Sequence, residues 1–224
     1  MASTPGSWTS VGKKIVVALT GMALMLFLLG HVSGNLILVF GSDEAFNDYG
    51  HKLVSNPFIE VVEAGLVLIF LFHFILALLH VARGRDARPT GYVSQAWAGG
   101  KSRKSLSSTL MLLSGLTILI FVIFHVATMK YGAFIGTFET PEGIHDLATQ
   151  TRTVFSNPVT VLVYEVVMVL VGMHLWHGFS SAFQSLGISH PRLEGVLRPL
   201  GWAFAIVVGG GFLLIPLVVF LNLI

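Results

Sequence analysis

Apolar residues run almost unbroken through five stretches of this chain, and polar residues collect between them. The stretches fall near 13–40, 58–82, 106–129, 158–186 and 199–223. Each is long enough to cross the core of a bilayer as a helix, which takes about 20 apolar residues. None alternates with the period of two that a membrane barrel strand needs, so helices are predicted throughout. The pattern describes an all-α integral membrane protein, a single membrane domain over 1–224. The longest polar stretches, 83–105 and 130–157, are too short to hold an active site alone. Lys13-Lys14 ahead of the first stretch looks like a signal peptide. That stretch is too long for one, lacks a small-x-small cleavage site and carries a histidine, so it is expected to be retained.

Composition agrees, with 54% hydrophobic and 11% charged residues. The basic residues are unevenly shared between the two sides. One side carries Lys13, Lys14, Arg83, Arg85, Arg88, Lys101, Arg103, Lys104, Arg192 and Arg198; the other has only Lys52, Lys130 and Arg152. That asymmetry places the N-terminus in the cytoplasm and the C-terminus outside. The net charge of +2 follows from this signal and gives no reason to expect nucleic acid. The dense cluster from Arg83 to Lys104 fits anionic lipid or a cytoplasmic partner equally. The absence of cysteine excludes disulfides, thiolate catalysis, iron–sulfur ligation and thioether-attached haem within the chain.

Four histidines then change the picture. His31, His73, His125 and His174 each sit inside an apolar span, where an imidazole is costly and generally has a task. Their positions repeat. Gly21 precedes His31 by ten residues, and Gly115 precedes His125 by ten. Ser55-Asn56-Pro57 leads to His73, and Ser156-Asn157-Pro158 leads to His174, each sixteen residues beyond the proline. Spans one and two therefore resemble spans three and four as a parallel repeat of helical hairpins. The fifth span has no partner; its Gly209-Gly210-Gly211 and Pro216 fit close packing and a bend.

Helical rise sorts the four into two depths. His31 and His125 lie roughly 26 and 31 Å from the basic side, whereas His73 and His174 lie roughly 15 and 20 Å from it. An outer pair and an inner pair follow, each from two helices. Imidazole suits iron, copper and zinc, and in a bundle of this size haem iron between two histidines is the favoured reading. Ala77 and Gly178, one turn past the inner histidines, would leave a clear surface for a flat macrocycle, or else serve plain helix packing. His80 shares a face with His73 and is its rival as ligand, a contact for a propionate or quinone, or a plain interfacial residue. His51 and His145 are expected in solvated outer loops, and His177 on a neighbouring face. Glu63 and Glu165, in the outer halves of spans two and four, are candidates for handling protons.

These residues resemble a known family. His31-Val32-Ser33-Gly34-Asn35, then Glu44-Ala45-Phe46-Asn47 and His51, together with His174-x-x-x-Gly178 leading to Gly187-Ile188, look like the cytochrome b membrane anchor of succinate:quinone oxidoreductases. The likeness is to the five-helix, two-haem form and covers nearly the whole chain. It implies a four-helix core binding two haem b groups, with a fifth helix beside it. The axial ligands would be His31 and His125 on the outer haem and His73 and His174 on the inner. It also implies a flavoprotein subunit and an iron–sulfur subunit on the cytoplasmic side, and a membrane quinone (menaquinone or ubiquinone) as reaction partner. The setting would be a bacterial-type cytoplasmic membrane, within electron transport and the tricarboxylic acid cycle. Succinate chemistry would belong to the flavoprotein, and this chain would be the quinone-reactive subunit of the enzyme. Ser107-Ser108-Thr109 stand where a member of the family has a basic residue, and Gly172-Met173 where some have a carboxylate. Two rival readings are a dihaem anchor of a hydrogenase or formate dehydrogenase, and a transporter that moves metal or protons along its histidines.

Overall fold

The computed structural model describes residues 9–86, 106–188 and 190–224. It is all-helical, and among the described residues the only strand-like feature is one isolated bridge between Glu139 and His145. In chain order the helices are α1 (Ser10–Asn35), α2 (Ile37–Phe40), α3 (Asp43–Val54), α4 (Ile59–Asp86), α5 (Leu106–Thr109), α6 (Met111–Met129), α7 (Leu147–Phe155), α8 (Pro158–Ser185) and α9 (Pro191–Phe220). Five of them are long and apolar enough to cross a membrane: α1 continued by α2, then α4, α6, α8 and α9. The five expected spans are all present. The fifth begins earlier than the apolar pattern implied, because His190 caps α9 and Pro191 opens it. Apart from the end of α4, the basic loop from Arg83 to Lys104 lies outside the described residues.

The repeated Ser-Asn-Pro triplets are helix starts. Asn157 Oδ1 accepts from the N–H groups of Val159 and Thr160, and Pro158 takes the first position of α8. Asn56 Oδ1 accepts from Phe58 N–H in the same way just ahead of α4. An asparagine cap followed by proline satisfies the exposed first N–H groups and presets the backbone angle. The sixteen-residue spacing to each histidine is thus counted from the turn ahead of its helix, with Pro158 the first residue of α8 and Pro57 two residues ahead of α4.

Two amphipathic helices that the apolar pattern did not announce, α3 and α7, pack on each other at one end of the bundle. We call this the capped end, and the end carrying Lys13 and His190 the basic end. Asn47 of α3 joins them: its amide donates to Asp146 Oδ1 at 2.9 Å, and its Oδ1 accepts from Ala148 N–H at 2.9 Å. Burial works against ionisation of Asp146. The Thr149 N–H and hydroxyl and the Asn47 amide outweigh it, holding the carboxyl below the usual carboxylate range. Fully buried Gln150 donates to the carbonyls of Thr128 and Met129, which the end of α6 would leave unpaired. Its Oε1 meets His145 Nε2. His145 is therefore tied into the cap rather than solvated, whereas His51 is exposed, with Ser55 Oγ 3.4 Å from its Nε2.

The core runs along α8 and α9. Val161, Tyr164, Val167, Met168, Val171 and Leu175 recur every three or four residues on α8, and all are buried. Between helices in lipid, close packing replaces the hydrophobic drive. A methyl group on Gly209 would stand 3.2 Å from Gly172 Cα, and one on Gly211 would stand 2.6 Å from Val32 Cγ2. Gly210, between them, faces open space. The fifth span is thus central: α9 packs on α8 more extensively than any other two helices pack. The peripheral helix is α4, which leans mainly on α1 and has no buried residue across its span.

Candidate functional site

Two histidine pairs occupy the bundle at two levels. His31 on α1 and His125 on α6 meet with ring centroids 5.8 Å apart and planes at 87°. Two imidazoles bound to opposite sides of one metal ion through bonds of roughly 2 Å bring their centroids to about 6 Å. Phe27 and Phe212 flank His31, while Phe121 stacks on His125. His73 on α4 and His174 on α8 lie within electrostatic range of each other.

Nδ1 of His73, His125 and His174 is engaged, and this is the most informative feature of the site. His73 Nδ1 lies 3.1 Å from the Val17 carbonyl and 3.2 Å from Thr20 Oγ1. A carbonyl only accepts, and the Thr20 hydroxyl already donates to the Val16 carbonyl at 2.7 Å. His73 therefore carries its proton on Nδ1, which leaves the Nε2 lone pair free. His174 Nδ1 lies 3.0 Å from Ser114 Oγ, which also reaches the Met111 carbonyl at 3.1 Å. His125 Nδ1 meets the Tyr164 hydroxyl at 3.1 Å. His31 is held differently: Asn35 Nδ2 donates to the His31 carbonyl at 2.8 Å and reaches its Nδ1 only at 3.4 Å. Metal-binding histidines almost always have the other ring nitrogen fixed by such a partner.

Thr20 and Ser114 are the residues that sequence reasoning missed. They are related by the same offset of 94 that relates Gly21 to Gly115 and His31 to His125, so the repeat itself pointed to them. Each hydroxyl lies on one helix and orients a histidine of the next. The glycines beside them belong to the inner pair, not the outer. A methyl group on Gly21 would stand 3.0 Å from His73 Cε1, and one on Gly115 would stand 3.9 Å from His174 Cε1. From Thr20 to His31, and from Ser114 to His125, is eleven residues. The two pairs are therefore separated by roughly 16 Å along the bundle.

The other expected residues are placed as follows. His80 is exposed on α4, two turns beyond His73, within electrostatic range of Lys13 and Lys14. Ala77 is half-buried on α4. The face at Gly178 is already taken by Met25, 3.3 Å from where a methyl group would stand. Gly34 accommodates the Tyr49 ring and so docks α3 on α1. Glu63 forms an ion pair with Lys130 across α4 and α6. Glu165 has one carboxylate oxygen buried without a hydrogen-bond partner. Among the described residues, no three histidine, aspartate or glutamate side chains converge as a protein-only metal cage would require. The chain matches no protein-family model, no curated protein and no solved structure.

Proposed function

We propose that this protein is a dihaem cytochrome b, the membrane anchor of a succinate:quinone oxidoreductase, carrying electrons between a cytoplasmic iron–sulfur subunit and membrane quinone. The observation that supports the haem reading is the engagement of Nδ1 in His73, His125 and His174, with His31 and His125 at the separation a shared metal needs. Each site offers two protein ligands. Zinc or copper sites generally draw three or four ligands from the protein. A haem brings four nitrogens of its own and asks the protein for axial ligands only. When bound in this way, haem iron supplies one-electron exchange between ferric and ferrous states.

The chain's own residues do the rest. The Val17 carbonyl, Thr20 and Ser114 hold the inner imidazoles as neutral ligands, with Nε2 directed away from their supports. Tyr164 supports the His125 imidazole, and Asn35 bonds the His31 main-chain carbonyl. Phe212 packs against His31, and α3 and α7 pack on each other at that end of the bundle. The basic end faces the cytoplasm by the distribution of lysine and arginine, so the inner pair is the first to receive electrons from a cytoplasmic donor. The flavoprotein, the iron–sulfur subunit and the quinone rest on the family resemblance.

Mixing tests the quinone assignment. The purified protein is reduced chemically, freed of reductant and mixed anaerobically with an oxidised naphthoquinone or benzoquinone. Rapid loss of the reduced b-type absorbance is expected. A spectrum that stays reduced in excess of both quinones would contradict a quinone-reactive subunit. Co-purification of flavin and iron–sulfur subunits separates this reading from the hydrogenase and formate dehydrogenase anchors.

A further inference from the structure

The third span ends at Met129, the last residue of α6, and the chain turns back at once. Ala133 N–H donates to the Ala127 carbonyl at 2.9 Å, and Gly136 N–H to the Gly132 carbonyl at 2.7 Å. Gly132 makes the reversal. Its φ is +61°, and a methyl group there would meet the Gly136 carbonyl oxygen at 2.4 Å.

The residue at the tip does not suit a turn in water. Phe134 has φ +73°, a left-handed conformation that costs a phenylalanine free energy. Its side chain is also 88% exposed, more than any other large apolar residue described. Exposing an aromatic ring to water is a second cost. Strain of this kind persists where the surroundings over-determine it.

Depth says what those surroundings are. The Phe134 ring lies beside that of Phe124, with centroids 6.4 Å apart and planes within 23°. Phe124 is five residues before Met129, so about 7.5 Å inside the end of α6. Side chains on a helix lean towards its N-terminus, which for α6 is deeper still. Even if all 6.4 Å between the rings ran along the helix axis, Phe134 would remain within the span. That span of 19 residues is close to the thickness of the hydrocarbon core. Ile120 and Ile123 face outward on the same helix. Phe40 and Phe58, at or next to the capped-end limits of two other spans, are exposed as well.

We propose that Phe134 is a lipid anchor, its ring returned by the 130–136 reversal into the acyl-chain layer of the leaflet at the capped end. Burial of the ring in lipid offsets the strained backbone. It also ties the depth of α6, which carries His125, to the bilayer. The occupant of this surface is phospholipid, because the ring continues the outward side of a spanning helix. The inference does not depend on the cofactor.

The chain has no cysteine, so single cysteines can carry a nitroxide label in the full chain, reconstituted in phospholipid vesicles. Molecular oxygen, which concentrates in hydrocarbon, is compared with a water-soluble nickel chelate as relaxing agent. Ile120→Cys marks the outward side of a span, and Glu142→Cys an exposed turn at the capped end. At Phe134→Cys oxygen is expected to relax the label more than nickel does, as at Ile120→Cys and opposite to Glu142→Cys. Relaxation mainly by nickel at 134 overturns the proposal, because the ring would stand in water. Shielding from both agents overturns it too, because a partner subunit or a second copy would cover the ring. Anchoring is read separately at Tyr131→Cys, with Phe134 present and with Phe134→Gly, which suits the backbone and removes only the ring. Nickel accessibility at 131 should rise when the ring is lost. An unchanged value overturns the anchor, and this second measurement decides the matter if Phe134→Cys yields no protein.

Discussion

Replacing His174 with alanine is expected to remove one haem and leave the other with an unchanged spectrum. His73→Ala is expected to remove the same one. His31→Ala and His125→Ala should each remove the other. The expectation follows from level and tethering together. Thr20 and Ser114 bring His73 and His174 to one height, and His31 and His125 stand eleven residues further along the same two helices. A metal that loses one of two axial imidazoles keeps no second protein ligand on that side, because the described residues supply no third histidine or carboxylate at either site. Half of the haem should therefore go in each single variant, and all of it in His31→Ala combined with His174→Ala. The low-temperature absorption spectrum of each variant, with total haem measured beside it, reads the result directly. Loss of the same band in His31→Ala and His73→Ala would break the pairing. Retention of the inner haem in His73→Ala, with loss in His80→Ala, would move the ligand two turns along α4.

The second large effect concerns the glycines beside the tethering hydroxyls. Gly21→Leu is expected to abolish the inner haem while sparing the outer one. A methyl group at Gly21 would already stand 3.0 Å from His73 Cε1. A larger side chain must displace the imidazole from the Val17 carbonyl and Thr20. Overpacking of this kind costs about 1–3 kcal/mol, and here the cost falls on the ligand's orientation. The repeat-related position behaves differently. A methyl group at Gly115 would make only ordinary contact with His174, at 3.9 Å, so Gly115→Ala should keep both haems. Gly210→Leu, which meets open space on α9, is the control for a bulky residue in a span. Gly21→Leu with a full inner haem would show that Gly21 plays no part in seating His73.

Much of this was legible in the sequence, and the reasons are specific. An uninterrupted apolar run has few alternatives to a spanning helix, and a histidine within one stands out against hydrocarbon. The shared offset of 94 then links spans that lie far apart in the chain. The interfacial helices were hidden because their signal is weak. Helix α3 begins with Ser42 as cap and Asp43 and Glu44 in its first turn, and its apolar residues are too few to mark it as a run. The start of α9 was hidden by Arg192, Glu194 and Arg198, charges that end an apolar pattern without ending a helix. Glu63 looked like a free carboxylate because Lys130, its partner, lies 67 residues away. His145 looked solvated because its contact with Gln150 depends on how the loop returns over the end of α6. Gly21 was read with the histidine that follows it, whereas it seats a histidine of another helix. Contacts between distant segments do not show in local pattern.

Four imidazoles on four spanning helices are proposed to form two sites, each holding one haem. Pyridine haemochrome analysis of the purified protein, set against protein determined by amino-acid analysis, measures this most directly. Non-covalent b-type haem at two per chain, removable with acidified acetone, is the expected result. A value of one per chain, or a preparation that is intact and colourless, would contradict it.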